Sequence, residues 1–193
     1  DCRRQRQMCI RDRLGSNRLP IVDIEDAPRF VYRGFLLDIS RNFFGLDKIK
    51  QIVDLMSIYK LNHLDLKLTD DEGWRLEIPA LPELTEVGAK RGYTTDEQDR
   101  LIPMYGSGAD GGETGNGFLS QQDFIELLKY ASVRNVTVIP QISFPSHARA
   151  AIISMEARRQ HFLAAGDNAA AEEFALIDTE DKSVYRSAQL YND

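Results

Sequence analysis

The densest cluster of chemically capable residues lies at residues 63–79, HLDLKLTDDEGWRLEIP. Leucine alternates there with polar residues, and then an acidic triplet, residues 70–72, precedes a glycine, the only tryptophan of the chain and Arg75. Carboxylates and a guanidinium can bind the hydroxyl groups of a sugar, and an indole offers a flat apolar face to a pyranose ring. The segment therefore predicts a sugar site, with an acidic surface turn as the alternative.

The elements that would position this cluster alternate between strands and helices. Periodicity predicts strands at 31–39, 63–69 and 136–143. It predicts helices at 47–60, 145–164 and 168–176, and a further helix that begins at a capping-box-like sequence at 120. Strands that alternate with helices indicate parallel βαβ units, so the predicted fold class is α/β.

Two architectures fit these units: a small three-stranded α/β sandwich, or the first three or so βα units of a (β/α)₈ TIM barrel. Three parallel strands alone leave open edges, which natural folds avoid. In barrels of this kind functional groups gather where the strands end. The three predicted strand ends are followed by Arg41, by Asp70 and Asp71, and by His147, which favours the partial barrel. The alternative for His147 is a histidine with structural hydrogen bonds at a helix start.

Composition limits the remaining function classes. The chain has 193 residues, 42% of them hydrophobic and 28% charged, as expected for one globular domain. No apolar run is long enough for a membrane span, and the net charge of −6 argues against nucleic acid as a partner. The acidic triplet lacks the alternating spacing of a calcium loop, so we expect no metal.

Residues 1–13, DCRRQRQMCIRDR, differ from the rest and contain both cysteines of the chain. A basic nucleic-acid arm is one interpretation. We prefer a non-native leader, because the string resembles translated adapter sequence and lacks the apolar core of a signal peptide. Residues 14–30 would lead into the domain at 31–193.

The long connection at residues 72–119 is expected to be functional or disordered. Residues 106–111 within it match G-x-G-x-x-G, which would mark a dinucleotide site in an unrelated three-strand domain. Such a site needs a preceding strand and a following helix. Proline precedes it and more glycine follows, so we interpret it as a flexible loop and expect no cofactor.

Three stretches resemble the bacterial chitobiases, β-N-acetylhexosaminidases of glycoside hydrolase family 20. They are Tyr-Arg-Gly with Asp-Ile-Ser-Arg-Asn-Phe at 32–43, the segment 68–93 around Asp-Asp-Glu-Gly-Trp-Arg, and PQISFPSHARAAIISMEAR at 140–158. The resemblance covers roughly residues 26–192. It implies a (β/α)₈ catalytic domain, terminal β-linked N-acetylglucosamine or N-acetylgalactosamine in oligosaccharides as substrate, and export to the periplasm, outer membrane surface or medium.

The resemblance also implies a substrate-assisted retaining mechanism, in which the acetamido oxygen of the substrate attacks C1. The family's Asp stabilises the acetamido group and its Glu is the general acid, both in His-x-Gly-Gly-Asp-Glu. That motif does not occur in these 193 residues. We therefore expect an enzyme as the full-length protein and no activity from this stretch alone.

Motif matching assigns roles to two residues, and strand phase ranks two others. Arg41 corresponds to the arginine that binds ring hydroxyls, and His147 to the supporting histidine that hydrogen-bonds the acid Glu. If the period-two alternation of the strand continues, Asp71 lies on the same inward face as Asp65, Lys67 and Thr69. This favours Asp71 over Asp70 for hydroxyl binding.

Four positions depart from the family pattern: Asp65, Lys67, Gln141 and Ser143. They stand where the family usually has His-x-His and Glu-Ile-Asp, and that last Asp normally orients the histidine. His147 is thus expected to lack its carboxylate partner, unless Asp65 has taken over the role. A sugar-binding pseudoenzyme that keeps Arg41 and Asp71 is the alternative function, and a downstream Gly-Gly-Asp-Glu would distinguish the two.

Overall fold

The fold is described by a computed structural model for residues 25, 27–105, 107–110 and 112–177. The strands are β1 (Gly34–Asp38), β2 (His63–Lys67), β3 (Thr69–Asp70), β4 (Gly73–Trp74) and β5 (Thr137–Gln141). The helices are α1 (Leu46–Ile58), α2 (Glu83–Glu86), α3 (Gly112–Gly115), α4 (Gln121–Ser132), α5 (Arg149–Ala164) and α6 (Asn168–Glu172). The predicted leader at 1–13 and most of the segment at 14–30 lie outside the described residues.

A parallel sheet with the order β1-β2-β5 forms the centre of the fold. Leu36, Asp65 and Ile139 stand side by side across its three strands. Helix α1 connects β1 to β2, and α4 precedes β5. The predicted α/β class with parallel βαβ units is confirmed, whereas closure into a barrel stays a prediction.

The two faces of the sheet differ in their cover. Leu64 and Leu66 are fully buried in a core that includes Val53 of α1 and Leu127 of α4. The opposite face carries Leu36, which is 56% exposed. Leucines on alternate positions of a strand share one face, so the predicted period-two pattern of β2 is the reason this face packs on the helices.

Helix α4 begins where the sequence predicts. The Ser120 hydroxyl accepts a 3.0 Å hydrogen bond from the Asp123 backbone N–H, and the Asp123 carboxylate accepts one of 3.0 Å from the Ser120 N–H. This reciprocal pair satisfies two of the donors that a helix start leaves without partners.

The described part of the long connection is a packed structure. Strands β3 and β4 form an antiparallel hairpin directly after β2. A bridge then pairs Leu76 with Leu119, and a second apolar cluster joins Leu101 of the connection to Ala150 and Ile153 of α5. Helix α5 therefore packs mainly on this connection and the hairpin. The described residues 102–105, which precede the glycine motif, form no strand, and residues 106 and 111 of the motif lie outside the described part.

Two predicted boundaries shift. Strand β2 ends at Lys67, and residues 68–71 are all buried, so the period-two alternation does not continue into the acidic triplet. Helix α5 begins at Arg149 rather than at 145, because His147 has a φ of 58°, in the left-handed region, which a right-handed helix cannot include. Among the helices that the structure describes, none is long and apolar enough to cross a membrane.

Candidate active site at the strand ends

The carboxyl ends of the three parallel strands bring the predicted site residues to one edge of the sheet. Arg41 follows β1, the acidic residues follow β2, and His147 follows β5. An ion pair of 3.0 Å joins Arg41 Nη2 to Asp70 Oδ2, and His147 Nδ1 lies 3.0 Å from Asp71 Oδ2. The structure thus collects Arg41, Asp70, Asp71 and His147 at the edge where barrel enzymes place their chemistry.

Arg41 is held by carboxylates and still faces solvent. Its guanidinium contacts Asp38 and Asp70 and lies 3.6 Å from Glu72 Oε2, while 44% of the side chain is exposed. A planar fork held in this way presents its remaining N–H groups in a fixed direction. Such a group suits neighbouring hydroxyls of a sugar ring.

Asp70 is the buried carboxylate behind Arg41. It is 1% exposed, pairs with Lys67 as well as Arg41, and accepts a 2.7 Å hydrogen bond from the Asp71 N–H. Burial opposes its ionisation, but the Lys67 ammonium and the Asp71 N–H outweigh burial and hold the pKa of Asp70 below its usual range. Burial and the nearby Asp70 carboxyl raise the pKa of Glu72.

Asp71 faces the histidine. One oxygen lies 3.0 Å from His147 Nδ1, and the other accepts a 3.2 Å hydrogen bond from the Arg149 N–H at the start of α5. The phase argument that grouped Asp71 with the inward residues of β2 is wrong, because the chain leaves the strand geometry after Lys67. The assignment of Asp71 to hydroxyl binding stays a prediction, and its contact with His147 was not foreseen.

His147 combines an unusual backbone with an accessible ring. A φ of 58° is uncommon for a residue other than glycine and persists only where the surroundings fix it. The side chain is 56% exposed. When Nδ1–H donates to Asp71, the other ring nitrogen, Nε2, is left as an acceptor. The arrangement is that of an oriented imidazole, able to exchange a proton with a group placed above the sheet edge.

The expected loss of a carboxylate partner for His147 is wrong. Ser143 makes its hydrogen bonds to Thr69 instead, with its N–H at 2.8 Å from Thr69 Oγ1 and its hydroxyl at 2.9 Å from the Thr69 carbonyl. The carboxylate of Asp65 accepts a 2.7 Å hydrogen bond from the Tyr32 hydroxyl. Asp71 supplies the charge that neither of these positions gives to the ring.

Of the two residues after the acidic triplet that the sequence suggested as sugar contacts, Trp74 is partly buried and Arg75 is fully buried. The Trp74 indole N–H donates to the Leu76 carbonyl at 2.6 Å, and the ring packs against the second apolar cluster. Arg75 has no exposed surface. The predicted contact of Arg75 with hydroxyl groups is therefore wrong. Its guanidinium donates instead to backbone carbonyls inside the connection.

Asp70, Asp71 and His147 each offer one atom within 4.8 Å of the others, a spacing that a metal ion could use. Two cations, Arg41 and Lys67, already compensate Asp70. A divalent ion would have to enter beside both positive charges, so the local electrostatics favour hydrogen bonding over metal binding.

Comparison with known proteins identifies the family. Residues 30–192 match the sequence model of the glycosyl hydrolase family 20 catalytic domain. The chain is 50% identical over 181 residues to N,N'-diacetylchitobiase from Vibrio harveyi, covering 94% of this chain and 20% of that protein. It is 47% identical over 176 residues to beta-hexosaminidase B from Pseudoalteromonas piscicida, covering 91% and 23%. The chain therefore belongs to glycosyl hydrolase family 20.

Solved structures agree with this membership. The crystal structure of the family 20 exo β-N-acetylglucosaminidase from Vibrio harveyi, in complex with N-acetylglucosamine, superposes with a TM-score of 0.66 and 37% identity. The match covers 86% of this chain and 23% of that one. The chain thus spans about a quarter or less of the length of these relatives.

Proposed function

We propose that the full-length protein is a β-N-acetylhexosaminidase of the chitobiase type, which removes terminal β-linked N-acetylglucosamine or N-acetylgalactosamine from oligosaccharides. The observation that carries the proposal is the pairing of His147 with Asp71, at 3.0 Å, beside the partly exposed Arg41. A partly exposed guanidinium and an imidazole held by a carboxylate, at the same edge of the sheet, support hydroxyl binding by Arg41 and a supporting role for His147. Membership of the family supplies the substrate class.

Each residue has a separate part in this proposal. Arg41 binds ring hydroxyls through the N–H groups that its carboxylate partners leave available. Asp71 accepts from Nδ1–H and so fixes the tautomer of His147, whose Nε2 faces the acid Glu. Asp70 neutralises Arg41 from the buried side. These groups bind and orient, and none of them attacks the sugar.

The reaction itself is proposed to be substrate-assisted. The acetamido oxygen attacks C1 as the general acid Glu donates its proton to the leaving oxygen, and water then opens the oxazolinium ring with retention. The motif His-x-Gly-Gly-Asp-Glu, to which the resemblance assigns the Asp-Glu pair for these steps, does not occur in these 193 residues. We propose that it lies on a further strand of the same (β/α)₈ barrel, of which β1, β2 and β5 would be the first three.

The proposal is tested with the full-length protein and two chromogenic substrates. A β-N-acetylglucosaminide should be hydrolysed, and the corresponding β-glucoside, which lacks the acetamido nucleophile, should not. Proton NMR of the first product should show the β anomer. Equal hydrolysis of both substrates, or an α product, would overturn the substrate-assisted mechanism.

The sugar-binding pseudoenzyme has no observation of its own in support, since the matching relatives carry the names of enzymes. The carboxylate at His147 also removes one reason to expect a weakened site. We further propose that the full-length protein acts outside the cytoplasm, on the resemblance to exported chitobiases.

A further inference from the structure

Arg75 is a buried cation whose hydrogen bonds go to backbone carbonyls. It has 0% exposure, and no ion pair to it is seen in the part of the chain that the structure describes. Burial and then the nearby Arg91 lower its pKa to about 9. Its guanidinium donates at 2.9–3.2 Å to the carbonyls of Ser40, Ala89, Gly115 and Gly117. A charge buried without a counter-charge is costly, and the hydrogen bonds to these four carbonyls offset part of that cost.

The acceptor that receives most from Arg75 adjoins the sugar site. Both Nε and Nη2 donate to the Ser40 carbonyl, at 3.1 and 2.9 Å. That carbonyl belongs to the peptide group that joins Ser40 to Arg41. From the other side, the Asp38 carboxylate accepts from the N–H groups of Ser40 at 2.9 Å and Arg41 at 3.2 Å. The backbone that carries Arg41 is therefore held between Asp38 and Arg75.

We propose that Arg75 is a positioning residue for substrate binding: it fixes the peptide at Ser40–Arg41 against the long connection, and thereby sets where the Arg41 guanidinium meets the sugar. The inference rests on the proposed function of Arg41. Arg75 itself, being fully buried, touches no substrate. The Nη1 and Nη2 groups of Arg75 also donate to the carbonyls of residues 89, 115 and 117. The long connection thereby helps to position Arg41.

Gly73 offers a way to disturb Arg75 without removing it. A Cβ at Gly73 would lie 2.5 Å from both Cζ and Nη2 of Arg75. Because several carbonyls hold that guanidinium, it cannot swing aside freely. Gly73→Ala should therefore displace the fork while the charge remains.

The experiment compares Arg75→Lys, Arg75→Met and Gly73→Ala in the full-length enzyme, with Arg91→Met as the matched control. Arg91 is also buried, at 1% exposure in the same connection, and no described hydrogen bond joins it to the loop of Arg41. We expect each of the first three variants to raise KM for the chromogenic N-acetylglucosaminide by about tenfold or more, as misplacement of a binding group does. The value of kcat should change less, since binding shared by ground and transition states is lost. Arg91→Met should leave KM near the wild-type value even where it lowers Tm.

A double-mutant cycle with Arg41→Lys separates positioning from stability. If Arg75 acts through Arg41, the Arg41→Lys substitution should raise KM less in the Arg75→Met protein than in the wild type. Strictly multiplicative effects on KM, or equal effects of Arg75→Met and Arg91→Met, would overturn the proposal. So would failure of Arg75→Lys, Arg75→Met and Gly73→Ala to fold, because Arg75 would then be a residue of stability alone.

A failure of the proposed function would look different. In that case the wild-type protein would not hydrolyse the chromogenic substrate at all. The same double-mutant cycle would then be measured by calorimetry, on the dissociation constant of N-acetylglucosamine. Coupling between Arg41 and Arg75 would support the positioning role of Arg75. Independent effects of the two substitutions, or no binding of the sugar, would overturn it.

Discussion

Arg41 is surrounded by more negative charge than it carries itself, with Asp38, Asp70 and Glu72 around one guanidinium. Lys67 also forms an ion pair with Asp70. In the proposed sugar site, the partly exposed carboxylates of Asp38 and Glu72 can accept hydrogen bonds from hydroxyls to which Arg41 donates. Arg41→Lys therefore removes the geometry of the guanidinium fork and keeps its charge.

Substitution of Arg41 should separate charge from geometry in the full-length enzyme. We expect KM to rise roughly tenfold for Arg41→Lys and roughly hundredfold for Arg41→Ala, the range for loss of one or two charge-assisted hydrogen bonds. Lysine keeps the pairing with Asp70 but loses the fork. Steady-state kinetics with the chromogenic N-acetylglucosaminide measure both values. Unchanged kinetic constants in both variants would remove Arg41 from the site.

The orientation of His147 depends mainly on Asp71, whose carboxylate lies 3.0 Å from Nδ1, against 3.5 Å for Asp70. Asp71→Asn should lower kcat by about tenfold or more, because it replaces a charge-assisted hydrogen bond with a neutral one. Ser143→Ala should leave kcat close to the wild-type value, since Ser143 bonds Thr69. The reverse ranking of the two variants would return the orienting role to Ser143. Ser143→Asp should give no gain in kcat, because His147 already has a carboxylate partner in Asp71.

At this scale the sequence identified which residues gather but not how they pair. Arg41, Asp70, Asp71 and His147 were all predicted from strand ends and motif matches. Whether Asp70 or Asp71 faces His147 depends on a two-residue hairpin strand, β3, which is too short to leave a periodic signal. The buried role of Arg75 has no local signal either, because its acceptors come from residues 40, 89, 115 and 117.

Among the elements, the strands of the parallel sheet and helices α1 and α4 were predicted within a few residues, since long apolar periodicity survives in the sequence. The hairpin and the packed connection were not. Their shape depends on contacts between distant segments, such as Leu76 with Leu119 and Leu101 with Ile153. Tertiary contacts of this kind override local pattern.

The capping box of α4 makes a prediction about stability and pH. Ser120→Ala should lower the free energy of unfolding by about 1 kcal/mol at neutral pH. Hydrogen bonds from the Ser120 side chain and backbone hold the pKa of Asp123 below its ordinary value of 3.8. A carboxyl whose folded pKa is lowered stabilises the fold above the unfolded pKa and loses that contribution as the pH falls through the folded pKa.

Thermal unfolding of the full-length protein and of its Ser120→Ala variant, followed at neutral pH and again at a pH well below 3.8, tests both parts. The difference in Tm should shrink in acid, where protonated Asp123 no longer accepts from the helix start. Gln122→Ala, one position from Asp123 and outside the reciprocal pair, is the control. A difference that stays constant across this range would mean that the carboxylate plays no part in the cap.

At the scale of the whole molecule, the unpaired edges and the exposed face of the described sheet decide how the isolated chain behaves. Among the described residues no strand pairs with the outer edge of β1 or of β5. The face opposite the helices carries Leu36 and Ile139, which are 56% and 36% exposed. Unpaired edges and exposed apolar side chains promote association between chains. In a closed barrel the same groups would be covered.

The 193-residue chain expressed alone should therefore aggregate and show no hydrolysis of the chromogenic N-acetylglucosaminide. Light scattering and a thermal scan measure the first property, and a release assay measures the second. A variant with Leu36→Thr and Ile139→Thr should remain in solution longer, because it removes apolar surface from the open face, yet it should stay inactive without the Asp-Glu pair. A cooperative thermal transition of the wild-type chain together with substrate hydrolysis would contradict both expectations, and would mean that the described sheet needs neither further strands nor that pair.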